Sequence, residues 1–378
     1  MRIKNALVYG SDSQFQERNI VIRDGVFVEE DGVSTDVEID ASGCYALPGL
    51  IDIHFHGAMG ADVCDGTMEA YETVARYELL HGVTSMCPAT LTLPEEVLCG
   101  VLSTGAAFAG KNQWDMARLV GFNMEGPFIS HVKKGAQNEA FIRPCDAAMV
   151  RRFLEASDGL LKIIGLAPEI NPDFAKYIGE VKDFVKVSLA HTDTDYATAM
   201  EAFYAGASHV VHLYNAMRGL HHREPGLVGA AADAGATCEL ICDGIHVHPA
   251  AVRAAYDMIG PEHMILISDS LRCTGMEDGI YDLGGQPVSK KGPYCNLVEE
   301  GNVAGSVSNL FDCLRNAVLT MEIPLEQAVA SATIIPARCI GEDHRIGAIA
   351  DGMLGDVILV RKSDFSLQQV IKGGNLAK

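Results

Sequence analysis

The chain lacks several things at once: a Cys-x-x-Cys pair, an apolar run long enough to cross a bilayer, a Gly-x-Gly-x-x-Gly turn, and enough positive charge to balance its acids. Its 11 cysteines are odd in number and scattered, so they read as reduced thiols of a cytosolic protein, not as a disulfide scaffold. Lysine and arginine total 29 against 50 acidic residues, a formal net charge of −21. That field argues against nonspecific nucleic-acid binding and obliges any anionic substrate to find a local cationic pocket. The N-terminus, Met1-Arg2-Ile3-Lys4-Asn5, enters strand-like sequence directly. Neither a signal peptide nor a membrane anchor is expected, and a cytoplasmic location is. No internal repeat or low-complexity tract appears.

What is present is a large potential core. Hydrophobic residues make up 48% of 378, a length that suits one barrel plus a small appendage. From Leu50 onward short apolar runs alternate with helical patterns. The runs are Leu50–His56, Thr84–Cys87, Leu119–Met124, Lys162–Leu166, Val185–Ala190, Val210–Leu213, Cys238–Cys242 and Met264–Ser268. Helical patterns include Glu69–Leu80, Pro94–Phe108, Ala147–Ala156, Tyr196–Tyr204 and Ala250–Met258, then Ser308–Thr320 and Leu325–Ala332. Eight strand-plus-helix units predict an α/β fold, a parallel (β/α)8 TIM barrel. A doubly wound open sheet is the alternative, and it would want the absent glycine-rich turn. At the N-terminus Ile20-Val21-Ile22 and Val26-Phe27-Val28 flank a hairpin turn. Strands return near the C-terminus at Asp356–Val360 and Gln369–Ile371. The expected organisation is a small β-sandwich domain from residues 1–48 and 345–378. It flanks a barrel over 49–344 that carries an inserted β-hairpin at 276–303.

Within that frame Ile51-Asp52-Ile53-His54-Phe55-His56-Gly57 is the most informative segment. In an extended strand alternate side chains share a face, so His54 and His56 would aim at one point. Other candidates sit at strand ends, where barrel enzymes place their chemistry. They are Glu125 on the third strand, His191 on the fifth, His212 on the sixth, Asp243 and His246 after the seventh, and Asp269 on the eighth. Such a set can hold one or two divalent ions, with zinc and iron both suited to imidazole and a carboxylate able to bridge two metals. His81, His209, His263 and His344 lie off the strand tips or on the other strand face and read as surface or structural. The segment Met217–Arg223 is a cationic patch in an acidic chain, with arginines whose planar fork suits phosphate.

Pro48-Gly49-Leu50 leading into the histidine pair resembles the first strand of the amidohydrolase superfamily. Asn123-Met124-Glu125-Gly126-Pro127-Phe128 with Lys133-Lys134-Gly135-Ala136, and His212-Leu213-Tyr214-Asn215-Ala216-Met217 with Arg223-Glu224-Pro225-Gly226, narrow the match. Together they resemble the N-acetylglucosamine-6-phosphate deacetylase family, over nearly the whole chain. The resemblance implies a main metal on Glu125, His191 and His212, and a second on His54 and His56 with Glu125 bridging. It implies Asp269 as the catalytic carboxylate. Asn215, the Ala216 backbone, Arg223 and His246 would bind an amino-sugar phosphate, and part of that phosphate site would come from the second subunit of a homodimer. The chain departs from many members at two positions, Asn123 and Gln137, where they have histidines. Gln137 can still donate a hydrogen bond near the acetyl group but carries no charge. A galactosamine or mannosamine derivative as substrate, another amidohydrolase reaction such as a cyclic amidase or deaminase, and a non-catalytic scaffold barrel are the alternatives.

Overall fold

The computed structural model describes residues 1–30, 37–111 and 113–377. Eight parallel strand segments close into a barrel. The first is Leu50–Asp52, the second Val83–Met86 with Ala89–Thr90, and the third Arg118–Leu119 continuing as Phe122–Phe128. Leu161–Leu166, Lys186–Leu189, His209–Val210, Thr237–Ile241 and Met264–Ile267 follow. Pairing runs in sequence order from Leu50–Asp52 round to Met264–Ile267. Backbone bonds then join the eighth strand end to the first, from Asp269 N to His54 O at 2.9 Å and from His56 N to Ser270 O at 2.8 Å. A helix follows each strand. The sequence patterns locate six of these eight to within about a turn, the first being Met68–Leu80 and the last Leu310–Leu319. Phe174–Val181 and Gly226–Ala234 also occupy helical positions between strands. Side-chain caps stop fraying at the loops: Thr67 accepts from Ala70 N and Asp195 from Thr198 N.

Two apolar clusters sort the strand faces. Ile51, Ile53, Cys87, Val120, Ile163, Ile241, Ile265 and Ile267 meet inside the barrel, and Ile335, Cys339 and Ile340 join them. Phe55, Phe122, Met124, Val187, Leu189, Val210, Leu240 and Leu266 face outward and pack with helix residues such as Tyr71, Leu102 and Val252.

The two chain ends do combine. Arg2–Tyr9, Phe15–Arg23, Val26–Val28, Glu38–Asp40 and Cys44–Pro48 form one eight-stranded sheet with Val357–Arg361, Leu367–Lys372 and Asn375–Leu376. Arg23 pairs with Val26 across a turn whose Asp24 and Gly25 both have positive φ, as a tight hairpin requires. The insertion has one strand more than a hairpin: Gly279–Leu283, Gln286–Lys291 and Tyr294–Leu297 form an antiparallel meander. Its Leu283, Val288, Cys295 and Leu297 bury an apolar face against Leu91, Leu271 and Cys273, which fixes the meander beside the mouth of the barrel.

Candidate metal centre

Five residues from four strand ends converge on one buried carboxylate. Glu125 Oε1 lies 2.8 Å from His191 Nε2 and 2.7 Å from His212 Nε2. Its Oε2 lies 3.5 Å from His56 Nε2, and His54 Nε2 is 3.6 Å from Oε1. Asp269 Oδ1 closes the ring at 3.4 Å from His56 Nε2 and 3.6 Å from His54 Nε2. Two potential ligand sets share Glu125: His54, His56 and Glu125, and Glu125, His191 and His212.

The geometry fits cations. The 3.4–3.6 Å separations around His54 and His56 are too long for hydrogen bonds yet suit ligands that share an ion at about 2 Å. His54 Nε2 is buried and has no hydrogen-bond partner, an orphan that a metal bond would satisfy. All four Nδ1 atoms are engaged from behind. His54 bonds Glu239 Oε2 at 2.7 Å, His56 the Ala89 carbonyl at 3.2 Å, His191 the Lys133 carbonyl at 2.8 Å and His212 the Asn215 carbonyl at 3.2 Å. A ring that donates Nδ1–H backward presents the Nε2 lone pair forward, the tautomer a metal needs.

Electrostatics agree. Burial opposes the imidazolium form of His54, yet Glu239, Glu125 and Asp269 raise its pKa to about 10; the proton this places on Nε2 is the one a metal ion would displace. Burial likewise opposes ionisation of Glu125, but His191, His212 and His54 hold its carboxyl well below the usual range. Asp269 is also lowered: burial works against the anion, and His56 and His54 outweigh it. Three carboxylates in so small a volume demand positive charge.

Backbone strain marks the same spot. His191, His212 and Asp269 have φ of +44°, +26° and +50°. L-residues enter this region only where the surroundings enforce it. The consequence is large. Val187 and Leu189 face the helices, so plain alternation would turn His191 outward too; the left-handed kink re-aims it inward. His212 is redirected in the same way after Val210. On the first strand Ile51 and Ile53 face the interior, and so does His54 immediately after them, because regular extension ends at Asp52. Gly135, at φ +56°, lets the neighbouring loop pass close to His191: a Cβ there would sit 3.1 Å from its ring.

A cavity of about 320 Å³ opens onto the cluster. His56, Glu125, Gln137, His191, His212 and Asp269 line it together with Asn215, Ala216 and His246, and Leu283, Asn302 and Val303 from the insertion complete the lining. His246 donates from Nδ1 to Asp243 Oδ2 at 2.7 Å. Burial lowers the basicity of His246, but that carboxylate raises it above the ordinary value, which favours a cationic wall. Gln137 is buried and doubly tied: its oxygen accepts from Thr92 N at 2.7 Å and its amide nitrogen donates to Glu125 Oε2. Arg223 stands apart. It is exposed, outside the cavity wall, with Nη1 2.8 Å from His222 Nε2. Arg218, the other arginine of the patch, is held by Asp193 at 2.9 Å.

Sequence reasoning missed Glu239. It lies in the middle of Thr237–Ile241 and is fully buried. It receives His54 Nδ1, His209 Nε2 at 2.9 Å, Asn123 Nδ2 at 3.1 Å and the His212 backbone N–H at 3.2 Å. The available signal was a lone acid inside the apolar run Cys238–Cys242, which burial permits only with partners. His209 is structural, as expected, but its partner is this carboxylate and not solvent.

Comparison with known proteins points the same way. The amidohydrolase family model matches residues 45–377. The N-acetylglucosamine-6-phosphate deacetylase of Bacillus subtilis (strain 168) is 36% identical over 335 residues, 88% of this chain and 84% of that one. The N-acetylgalactosamine-6-phosphate deacetylase of Escherichia coli O157:H7 is 32% identical, covering 96% and 95%. A mutant Mycobacterium smegmatis N-acetyl-D-glucosamine-6-phosphate deacetylase, solved in complex with N-acetyl-D-glucosamine-6-phosphate, superposes with a TM-score of 0.92 at 26% identity, covering 100% and 99%. This chain belongs to the amidohydrolase family and stands among its N-acetylglucosamine-6-phosphate deacetylases.

Proposed function

We propose that the protein hydrolyses N-acetylglucosamine 6-phosphate to glucosamine 6-phosphate and acetate. The observation that carries this reading is the buried Glu125 shared by two histidine pairs and facing Asp269 across one cavity. Relatives with that activity match it along most of its length. An intact ligand set speaks against a scaffold barrel.

Glu125, His191 and His212 would hold one divalent ion, and His54, His56 and Glu125 a second. Zinc or iron fits these donors. A bound ion supplies acidified water and polarises the acetamide carbonyl. Asp269 takes the proton from the attacking water and returns it to the amine nitrogen, which leaves badly as an anion. Against the cost of burial, His56 and His54 hold its carboxyl below the usual range, which favours the anion a base requires. Gln137, anchored by Thr92, sets the orientation of Glu125 and offers its remaining N–H toward the substrate carbonyl. Asn215, the Ala216 backbone and the His246 imidazole bind the sugar phosphate. Arg223, exposed on its own chain, supplies a phosphate contact across a homodimer. Eleven free cysteines fit a reducing compartment, and we place the protein in the cytoplasm. The sheet from residues 1–48 and 345–378 is read as a small β-sandwich domain on a barrel over 49–344, supported by its separate core of Ile3, Val8, Ile22, Phe27, Val357 and Ile371.

The Escherichia coli relative favours a second reading, deacetylation of N-acetylgalactosamine 6-phosphate. One experiment separates them. Acetate release is measured from the 6-phosphates of N-acetylglucosamine, N-acetylgalactosamine and N-acetylmannosamine after metal reconstitution. The highest kcat/KM on the glucosamine derivative supports the first reading; a preference for either epimer replaces it; turnover of none refutes both.

A further inference from the structure

We infer that Glu239 is the positioning residue that makes the His54 and His56 pole a cation site. The inference rests on the reading that these histidines are metal ligands, and it deepens it.

Glu239 has two oxygens and four groups directed at them, one pair on each. Oε2 takes His54 Nδ1 at 2.7 Å and the His212 backbone N–H at 3.2 Å; Oε1 takes His209 Nε2 at 2.9 Å and Asn123 Nδ2 at 3.1 Å. An ionised carboxylate only accepts, so each of these groups must donate. His54 is therefore N–H at Nδ1, which leaves Nε2 as the atom that faces Glu125 and Asp269 and would take a metal. Nothing else among the described residues bonds the His54 ring, whereas His56, His191 and His212 are each fixed by a backbone carbonyl. A carbonyl holds a tautomer but adds no full charge; a carboxylate does both and strengthens imidazole as a donor. Asn123 and His209 occupy the other edge and keep Glu239 from rotating away. One buried side chain thus reaches both poles, gripping the His54 ring and the His212 backbone.

The test is zinc titration of chelator-stripped protein by calorimetry, with metal analysis. Wild type takes up two ions per chain. Glu239→Gln keeps an acceptor for His54 but loses the charge, and its second ion binds about tenfold more weakly with the first little changed. Glu239→Leu removes the acceptor and weakens the second ion about 100-fold. Unchanged second-ion affinity in both variants, or a single ion in wild type, overturns the inference. Should the leucine variant not fold, the ¹⁵N shifts of the wild-type zinc protein decide. His54 protonated at Nδ1 supports the inference, and protonated at Nε2 overturns it. Deacetylase assays separate the two levels. Two zinc ions without turnover of any amino-sugar phosphate sink the proposed function alone; turnover with second-ion binding indifferent to Glu239 sinks only the positioning role.

Discussion

Asp269→Asn is the sharpest probe of the chemistry, because the structure isolates what it changes. The backbone at 269 has φ +50°, a region asparagine tolerates better than most residues. Its main-chain bonds, N–H to His54 O at 2.9 Å and C=O from Ser306 N at 2.7 Å, do not involve the side chain. Asparagine has nearly the same shape, so the barrel closure survives. What disappears is the anion 3.4 Å from His56 and 3.6 Å from His54, and with it the group that in the proposed reaction would accept and return a proton. General base and acid catalysis contributes about 10²–10⁴ in rate, or roughly 2.7–5.4 kcal/mol of barrier. Steady-state acetate release should show kcat reduced by that factor with KM little altered. Metal analysis should find the ion at Glu125, His191 and His212 retained. Wild-type kcat refutes the reasoning outright. A fall in kcat accompanied by loss of that ion refutes the proton-transfer role and makes Asp269 an essential ligand instead.

Four further outcomes are expected. Arg223→Ala raises KM for the phosphorylated sugar far more than for free N-acetylglucosamine; equal effects in the two assays move the phosphate contact elsewhere. Gln137→Ala frees Thr92 N and Glu125 Oε2 together, and kcat falls by about 10²–10³, the loss typical of a missing oxyanion-type donor. Stripping metal with a chelator abolishes turnover and lowers the melting temperature, and adding zinc back restores both, because the ions bind only the folded cluster; a melting curve indifferent to metal contradicts the ligand sets. Lys372, buried with Nζ 2.7 Å from the Gln113 carbonyl, is lowered to about 8, chiefly by burial and then by Arg118. Its folded value lies below 10.5, so the unfolded chain binds the extra proton between the two, and stability rises as pH climbs from about 8 to 10.5, by at most roughly 3 kcal/mol. Denaturation of wild type and Lys372→Met across that range should show the rise in wild type only.

The barrel was legible because its signal is local. Each of the eight apolar runs falls on an observed strand, and most of the helical stretches between them follow from periodicity and capping residues such as Thr67 and Asp195. The ligand types were legible for the same reason: they end the runs. Phe174–Val181 and Gly226–Ala234 are not among the expected helices, both being short, and the insertion carries a third strand where a hairpin is expected. Glu239 was hidden by its setting, since a single acid in an apolar strand announces nothing until its four donors are placed around it.

By itself the sequence determined the order of strands and helices, the pairing of the two ends into one sheet, and the set of imidazoles and carboxylates at one rim. Those follow from side-chain period and from the residues that terminate each run. Only the tertiary structure decided which way the ligands face. Strict alternation would send His54, His191 and His212 away from the axis; the end of regular extension after Asp52 and left-handed backbone at His191 and His212 bring them in. Such conformations cost energy locally and persist only where surrounding strands and carbonyls enforce them, so no window of sequence contains the information.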